Sequence, residues 1–186
     1  MRLLLVGPAG SGKDTVADYL VERHGFRKYA FADKLKEIAA EMFPELYESN
    51  RRTLLQKLGD AFRNLYPDVG VDHVLKKIAA DDPPCAVIGD GRYANEYQKC
   101  VGEGFVPLFV TASVQTRQAR LRERDGRLLA LEEETHPSEK EALTVQALFP
   151  GYLIKNDGSY EELCRKVDEF VACLRGAGIA GGAACL

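Results

Sequence analysis

The stretch Gly7-Pro8-Ala9-Gly10-Ser11-Gly12-Lys13-Asp14-Thr15 decides the fold of this 186-residue chain. It follows the apolar run Leu3-Leu4-Leu5-Val6 and precedes Val16, Tyr19 and Leu20, which recur at helical spacing. A strand, a glycine-rich turn and a helix in that order make an anion cradle. The glycines let backbone N–H groups converge on phosphate oxygens, and the helix N-terminus adds positive potential. Lys13 supplies a point charge for the β- and γ-phosphates of a nucleotide. Gly7, Ala9, Gly10, Ser11, Gly12, Lys13, Asp14 and Thr15 are therefore candidate ATP-binding residues. The alternative, a glycine-rich turn with an exposed lysine, does not account for the strand before it and the helix after it.

Working outward, short apolar runs at 28–32, 85–89, 106–111 and 152–154 join 2–6 as five predicted strands, with helical patterns between them. This alternation predicts an α/β protein on a mainly parallel sheet covered on both faces. The last helix opens on a capping box, Ser159 with Glu162, and shows Leu163, Val167, Phe170, Val171 and Leu174 on one face. Residues 176–186, rich in Gly and Ala, are predicted to be a disordered tail. Two segments interrupt the alternation, 33–80 with two or three helices and the highly charged 117–145. Insertions beside the strand ends of such a sheet are where substrate sites and lids are built.

Composition is that of one globular domain, with 46% hydrophobic and 28% charged residues. A net charge of −3 gives no broad basic field for nucleic acid or a membrane surface, so a nucleotide must be held by local donors. Cys85, Cys100, Cys164, Cys173 and Cys185 are an odd number without metal-ligand spacing. They read as small hydrophobes in a reducing compartment. The apolar start is cut off at Gly7-Pro8, too soon for a signal segment, and no run reaches transmembrane length. The expectation is a cytoplasmic protein whose partners are small molecules. Oligomeric state leaves no trace in the sequence.

Other candidates follow from position and spacing. Asp90 closes the buried run 85–89, where a carboxylate at a strand's carboxyl end holds Mg²⁺ or its waters, or simply ends a strand. On a helical wheel of residues 49–66, Leu54, Leu55, Leu58, Phe62 and Leu65 form an apolar stripe predicted to face the core. Arg52, Gln56, Gly59 and Arg63 fall on nearly the opposite face. Two guanidinium groups, an amide and a gap at glycine suit a phosphate and a base; a solvated face is the plain alternative. Asp33, after Ala30-Phe31-Ala32, either reaches the same acceptor or caps a helix.

Arg117, Arg120, Arg124 and Arg127 form a second helical stripe. Closed over phosphates it would neutralise transition-state charge and exclude water; otherwise it makes a helix soluble. Near His136, Ser138 and Glu141 are predicted as a capping box. Asn156-Asp157-Gly158-Ser159 offers an amide for a base edge, or a left-handed turn before a helix.

Several of these stretches carry a resemblance. Gly12-Lys13-Asp14-Thr15 is similar to the Gly-Lys-Asp-Thr form of phage-type deoxynucleoside monophosphate kinases. Asp90-Gly91-Arg92-Tyr93-Ala94-Asn95-Glu96 resembles their Asp-x-Arg-Phe/Tyr-x-Asn-Glu segment. The Arg52-to-Arg63 row resembles their Arg–Leu-Gln–Gly–Arg pattern, and Arg124-Asp125-Gly126 their lid start. The resemblance implies a P-loop, nucleoside monophosphate kinase-like fold over residues 1–175, with an acceptor-binding insertion at 33–80 and a lid at 117–145. It implies ATP with Mg²⁺ as donor and a (deoxy)nucleoside monophosphate as acceptor.

By the same resemblance, Arg92 grips the acceptor phosphate, joined by Asp33, Arg52, Gln56, Arg63 and Glu96. Arg117, Arg120 and Arg124 act with Lys13 and Arg92 in catalysis, and Asn156 and Gly158 pack against adenine. For Asn95 and Glu96, polar residues at a helix start are an equal alternative. Asp14 stands where the usual loop has a Ser or Thr hydroxyl for the metal. It either binds Mg²⁺ through water or serves as a first-turn anion. The rival readings are a kinase of another small phosphorylated acceptor, of the dephospho-coenzyme A or phosphomevalonate type, and a non-kinase nucleotide switch.

Overall fold

The computed structural model describes residues 1–126 and 136–176. Its strands are β1 Arg2–Val6, β2 Arg27–Tyr29, β3 Ala86–Gly91, β4 Val106–Thr111 and β5 Tyr152–Lys155. The helices are α1 Lys13–His24, α2 Asp33–Met42, α3 Pro44–Leu65, α4 Val69–Asp81, α5 Ala94–Gly102, α6 Val114–Asp125, α7 Pro137–Leu148 and α8 Tyr160–Gly176. All strand pairs are parallel, in the order β2-β3-β1-β4-β5.

Side chains alternate across the sheet and build a core on each face. Leu3 and Leu5 of β1 pack with Val16 and Leu20 of α1 and with Leu163, Val167 and Val171 of α8. Leu4 and Val6 pack on the other face with Val74 and Ile78 of α4, Cys100 of α5 and Val145 of α7. Burial on both faces is why the strands read as unbroken apolar runs. β1 lies between β3 and β4, so the sheet's growth reverses there and a crevice opens at the strands' carboxyl ends. The α/β fold and its five-stranded parallel sheet agree with the sequence reading.

Local differences have physical causes. β2 ends at Tyr29, short of residue 32, because the amides of Phe31 and Ala32 donate to the Asp90 carboxylate at 2.8 and 3.0 Å instead of extending the ladder. α3 is kinked at Asn50, packs mainly on α2 and stands away from the sheet. Its apolar stripe therefore does not enter the core: Gly59 is its one buried residue, and Leu65 is 86% exposed.

α7 is capped by His136, whose ring accepts from the Ser138 amide at 3.3 Å. Pro137 fixes the first helical position, so the expected Ser138–Glu141 box does not form. Ala142 and Val145 of α7 are buried, which makes Pro137–Leu148 a core helix. Ser159 Oγ accepts from the Glu162 amide at 3.3 Å, as the cap of α8 should.

Cys85, Cys100 and Cys164 are free thiols, but Cys173 is disulfide-bonded, against the expectation of five reduced cysteines. Among the described residues no helix is long and apolar enough to cross a membrane. Arg127 and the tail beyond Gly176 lie outside the described residues.

Candidate active site

β1 delivers the glycine-rich loop to the crevice. Gly10 and Gly12 adopt φ of 75° and 96°, a left-handed region that glycine enters at little cost. Lys13 opens α1 and is buried; its Nζ donates to the carbonyls of Gly7 at 2.6 Å and Pro8 at 3.0 Å. Burial, followed by the Arg92 charge, brings the Lys13 pKa down to about 7, against the pull of Asp14, Glu139 and Asp90. Asp14 and Thr15, the next residues of α1, are exposed.

Asn156 lies against the loop. Its side-chain amide donates to the Ser11 carbonyl at 2.9 Å, and Arg120 donates to its backbone oxygen at 2.9 Å and to Oδ1 at 3.4 Å. The amide nitrogen thereby braces the loop, while its oxygen meets Arg120 of α6. Gly158 is exposed, against the Glu162 side chain.

Of the arginines of α6, Arg117 and Arg120 lie beside the glycine-rich loop, at Gly10 and Gly12. Arg117 lays its backbone against Gly10, whose Cβ would come within 2.7 Å of the Arg117 carbonyl oxygen. Arg120 reaches the end of β5, and Arg124 lines the neighbouring cavity.

That cavity, about 1240 Å³, is where the remaining expectations meet. Asp33, Arg52, Gln56, Arg63, Arg92 and Glu96 all line it, together with Asp14 and Asp90. Phe31, Phe62 and Tyr93 add aromatic faces. The gap at Gly59 holds the Arg63 guanidinium, which would meet a Cβ there at 3.1 Å. Arg63 also bonds Asp60 at 2.5 Å and lies 4.4 Å above the Tyr93 ring. Asp33 is the first residue of α2 and pairs with Lys36 at 2.9 Å; it is not the cap, which is Ala32.

Glu96 accepts the amides of Arg92 at 2.8 Å and Tyr93 at 3.0 Å, closing the start of α5. Burial pushes its carboxyl up to about 7, over the opposing effect of those amides, and Asp90 adds to the rise. Burial also raises the Asp90 carboxyl, despite its two amide donors.

Sequence reasoning missed Glu139. Its buried carboxylate accepts the Ala9 amide at 2.8 Å, Arg52 Nη2 at 2.9 Å and Arg92 Nη1 in a shorter contact. Burial raises this carboxyl, but Arg92, the Ala9 amide and Arg52 outweigh it and leave the pKa below the usual range. An acid in a helix's first turn is too common to have signalled this role. Asp60, which bonds Arg63 and His136 Nε2, was missed as well.

Among the described residues no cluster of three acidic, His or Cys side chains could cage a metal. Besides Glu139, two carboxylates act on Lys13 of the loop: Asp14, exposed with Lys28 Nζ at 3.9 Å, and Asp90, holding two amides.

The comparisons with known proteins agree with this fold. A protein of Acanthamoeba polyphaga mimivirus with the provisional name deoxynucleotide monophosphate kinase is 25% identical, over 93% of this chain and 95% of that one. Shikimate kinase from Acinetobacter baumannii in complex with shikimate superposes with a TM-score of 0.55 at 17% identity, covering 92% of this chain and 93% of that one. Deoxyadenosine kinase from M. mycoides with products dCMP and dCDP gives 0.58 at 13%, covering 93% and 100%. At such identities the structural likeness is one of fold. Residues 3–137, most of the length, match the AAA domain, so the chain belongs to the AAA domain family, in a fold shared with P-loop kinases.

Proposed function

We propose that this protein transfers the γ-phosphoryl group of ATP to the phosphate of a nucleoside or deoxynucleoside monophosphate. The observation that carries this reading is the convergence of Arg52, Arg63 and Arg92 on one cavity bordered by Asp14 of the phosphate-loop helix. Guanidinium forks match phosphate geometry, so three of them suit an acceptor that brings its own phosphate. Phe31, Phe62 and Tyr93 offer faces for a base, and Gln56 an amide for its edge.

An acceptor phosphate oxygen is already ionised and needs no general base. Asp90, Glu96 and Glu139 already accept backbone amides or guanidinium groups, which fits such an acceptor. Catalysis then consists of positioning and charge stabilisation. Lys13 and the loop amides hold the donor phosphates, and Arg92, with Arg52 and Arg63, holds the acceptor. The provisional name of the viral relative points the same way. Likeness to kinases of other substrates does not choose among acceptors.

Magnesium accompanies ATP in this reading. It takes one or two carboxylates together with phosphates and water, and the oxygen donors Asp14 and Asp90 fit that requirement. Asp14 fits better, because both oxygens of Asp90 hold amides. When bound, the ion neutralises charge on the β- and γ-phosphates.

Arg92→Ala tests the assignment through steady-state kinetics. The acceptor KM should rise about tenfold or more while the ATP KM stays within about twofold. Equal effects on both substrates would contradict it.

A further inference from the structure

Glu139 belongs to none of the groups assigned above to ATP, acceptor or metal. Three parts of the chain nevertheless converge on its carboxylate. Oε2 accepts the Ala9 amide of the phosphate loop at 2.8 Å. Oε1 accepts Arg52 from α3 at 2.9 Å and Arg92 from just beyond β3 in a shorter contact. The side chain is only 10% exposed. The helix that carries it is anchored: Ala142 and Val145 are buried, and His136 at its start bonds Asp60 of α3 at 3.0 Å.

We infer that Glu139 is a positioning residue that registers the acceptor arginines against the phosphate loop, so that the donor and acceptor phosphates meet in line. The inference rests on the phosphoryl transfer proposed above. An arginine side chain has many rotamers, and a charge-assisted bond to a fixed carboxylate selects one of them. Arg92 is held in this way at one nitrogen while it lines the cavity. Because the other carboxylate oxygen holds Ala9, the same group sets the distance between the two half-sites. Displacing a reacting group by about 1 Å slows transfer on the order of 100-fold.

The Glu139 charge also opposes the binding of phosphate anions. Its two effects therefore run in opposite directions: removing the charge spares or tightens binding, yet slows transfer. A residue that only supported the fold would instead raise KM and lower Tm together.

The test uses Glu139→Gln, Arg92→Ala and the double variant in the full chain. A glutamine whose carbonyl faces the arginines turns its NH₂ toward the Ala9 amide, donor against donor. For Glu139→Gln, kcat should fall about tenfold or more with the acceptor KM unchanged or lower. Glu139→Gln should cost less in the Arg92→Ala background than in the wild type, because part of its effect passes through Arg92; fully additive losses contradict that coupling. Glu139→Asp keeps the charge but withdraws it by one methylene; it should slow transfer less than glutamine does, and it carries the same test if the glutamine variant misfolds.

Relaxation of the ¹⁵N-labelled Arg92 guanidinium reads the same effect without an acceptor: ordered in the wild type, mobile in Glu139→Gln. If the wild type phosphorylates no nucleoside monophosphate, the proposed function fails, and the guanidinium signal still decides the role of Glu139. An Arg92 equally ordered in both proteins, or a Glu139→Gln kcat within about twofold of wild type, overturns the inference.

Discussion

The side-chain amide of Asn156 donates to the backbone carbonyl of Ser11 at 2.9 Å, fastening the loop after β5 to the phosphate loop. The geometry of the proposed ATP site therefore depends on the end of an edge strand. Asn156→Ala leaves that carbonyl without its donor, a loss of about 1–3 kcal/mol. The KM for ATP should rise about fivefold or more while the preference for ATP over GTP stays the same. A changed ratio of the two nucleotides would return Asn156 to the base.

Asp14 and Asp90 are separable by experiment. Asp90 anchors the amides of Phe31 and Ala32, whereas Asp14 is exposed beside Lys28. Asp90→Asn turns an NH₂ toward an amide donor and should lower stability by about 1–3 kcal/mol. Asp14→Asn should stay within about 0.5 kcal/mol of wild type. It should also raise the Mg²⁺ needed for half-maximal rate by about tenfold. Denaturant unfolding and a magnesium titration check both. A magnesium requirement that moves only in Asp90→Asn would make Asp90 the ion's carboxylate.

The pH dependence of stability should expose Glu96. Burial raises its folded-state pKa from 4.5 to about 7, so the folded protein favours the protonated form. That contribution is fully present below pH 4.5 and is lost as pH rises through 7. Glu96→Gln keeps an acceptor oxygen for the Arg92 and Tyr93 amides and never ionises. The variant should match wild type near pH 4.5 and exceed it at pH 8, by at most about 3 kcal/mol. Parallel stability curves for the two proteins would show that Glu96 does not titrate in this window.

What the sequence disclosed was local. The glycines and Lys13 are contiguous, the strands are short apolar runs, and Arg52, Gln56 and Arg63 share one helix, so spacing alone grouped them. What escaped is tertiary. The partners of Glu139 lie 130, 87 and 47 residues away, and no window along the chain contains them. Helical period identified two faces of α3 but not their surroundings. Because α3 rests on α2, Leu55 and Phe62 line the cavity beside Arg52 and Gln56, while Leu65 points outward. The Asn156 amide suits a base edge and a backbone carbonyl equally well, and spacing along the chain does not show that it meets the Ser11 carbonyl. Phe31 and Ala32 have the apolar character of a strand, yet the Asp90 carboxylate takes their amides.

The central claim is phosphoryl transfer from ATP to a nucleoside monophosphate. It is tested most directly by measuring ADP formed from ATP and Mg²⁺ with each ribo- and deoxyribonucleoside monophosphate in turn, with the second product identified by ³¹P NMR. At least one monophosphate should stimulate ADP formation and appear as the diphosphate. Lys13→Ala, with its fold intact, should lose on the order of 1000-fold or more of that rate, since the proposed reaction assigns that buried side chain to the transferring phosphates. ADP formed at one rate with and without every monophosphate, its phosphate released to water, contradicts the claim.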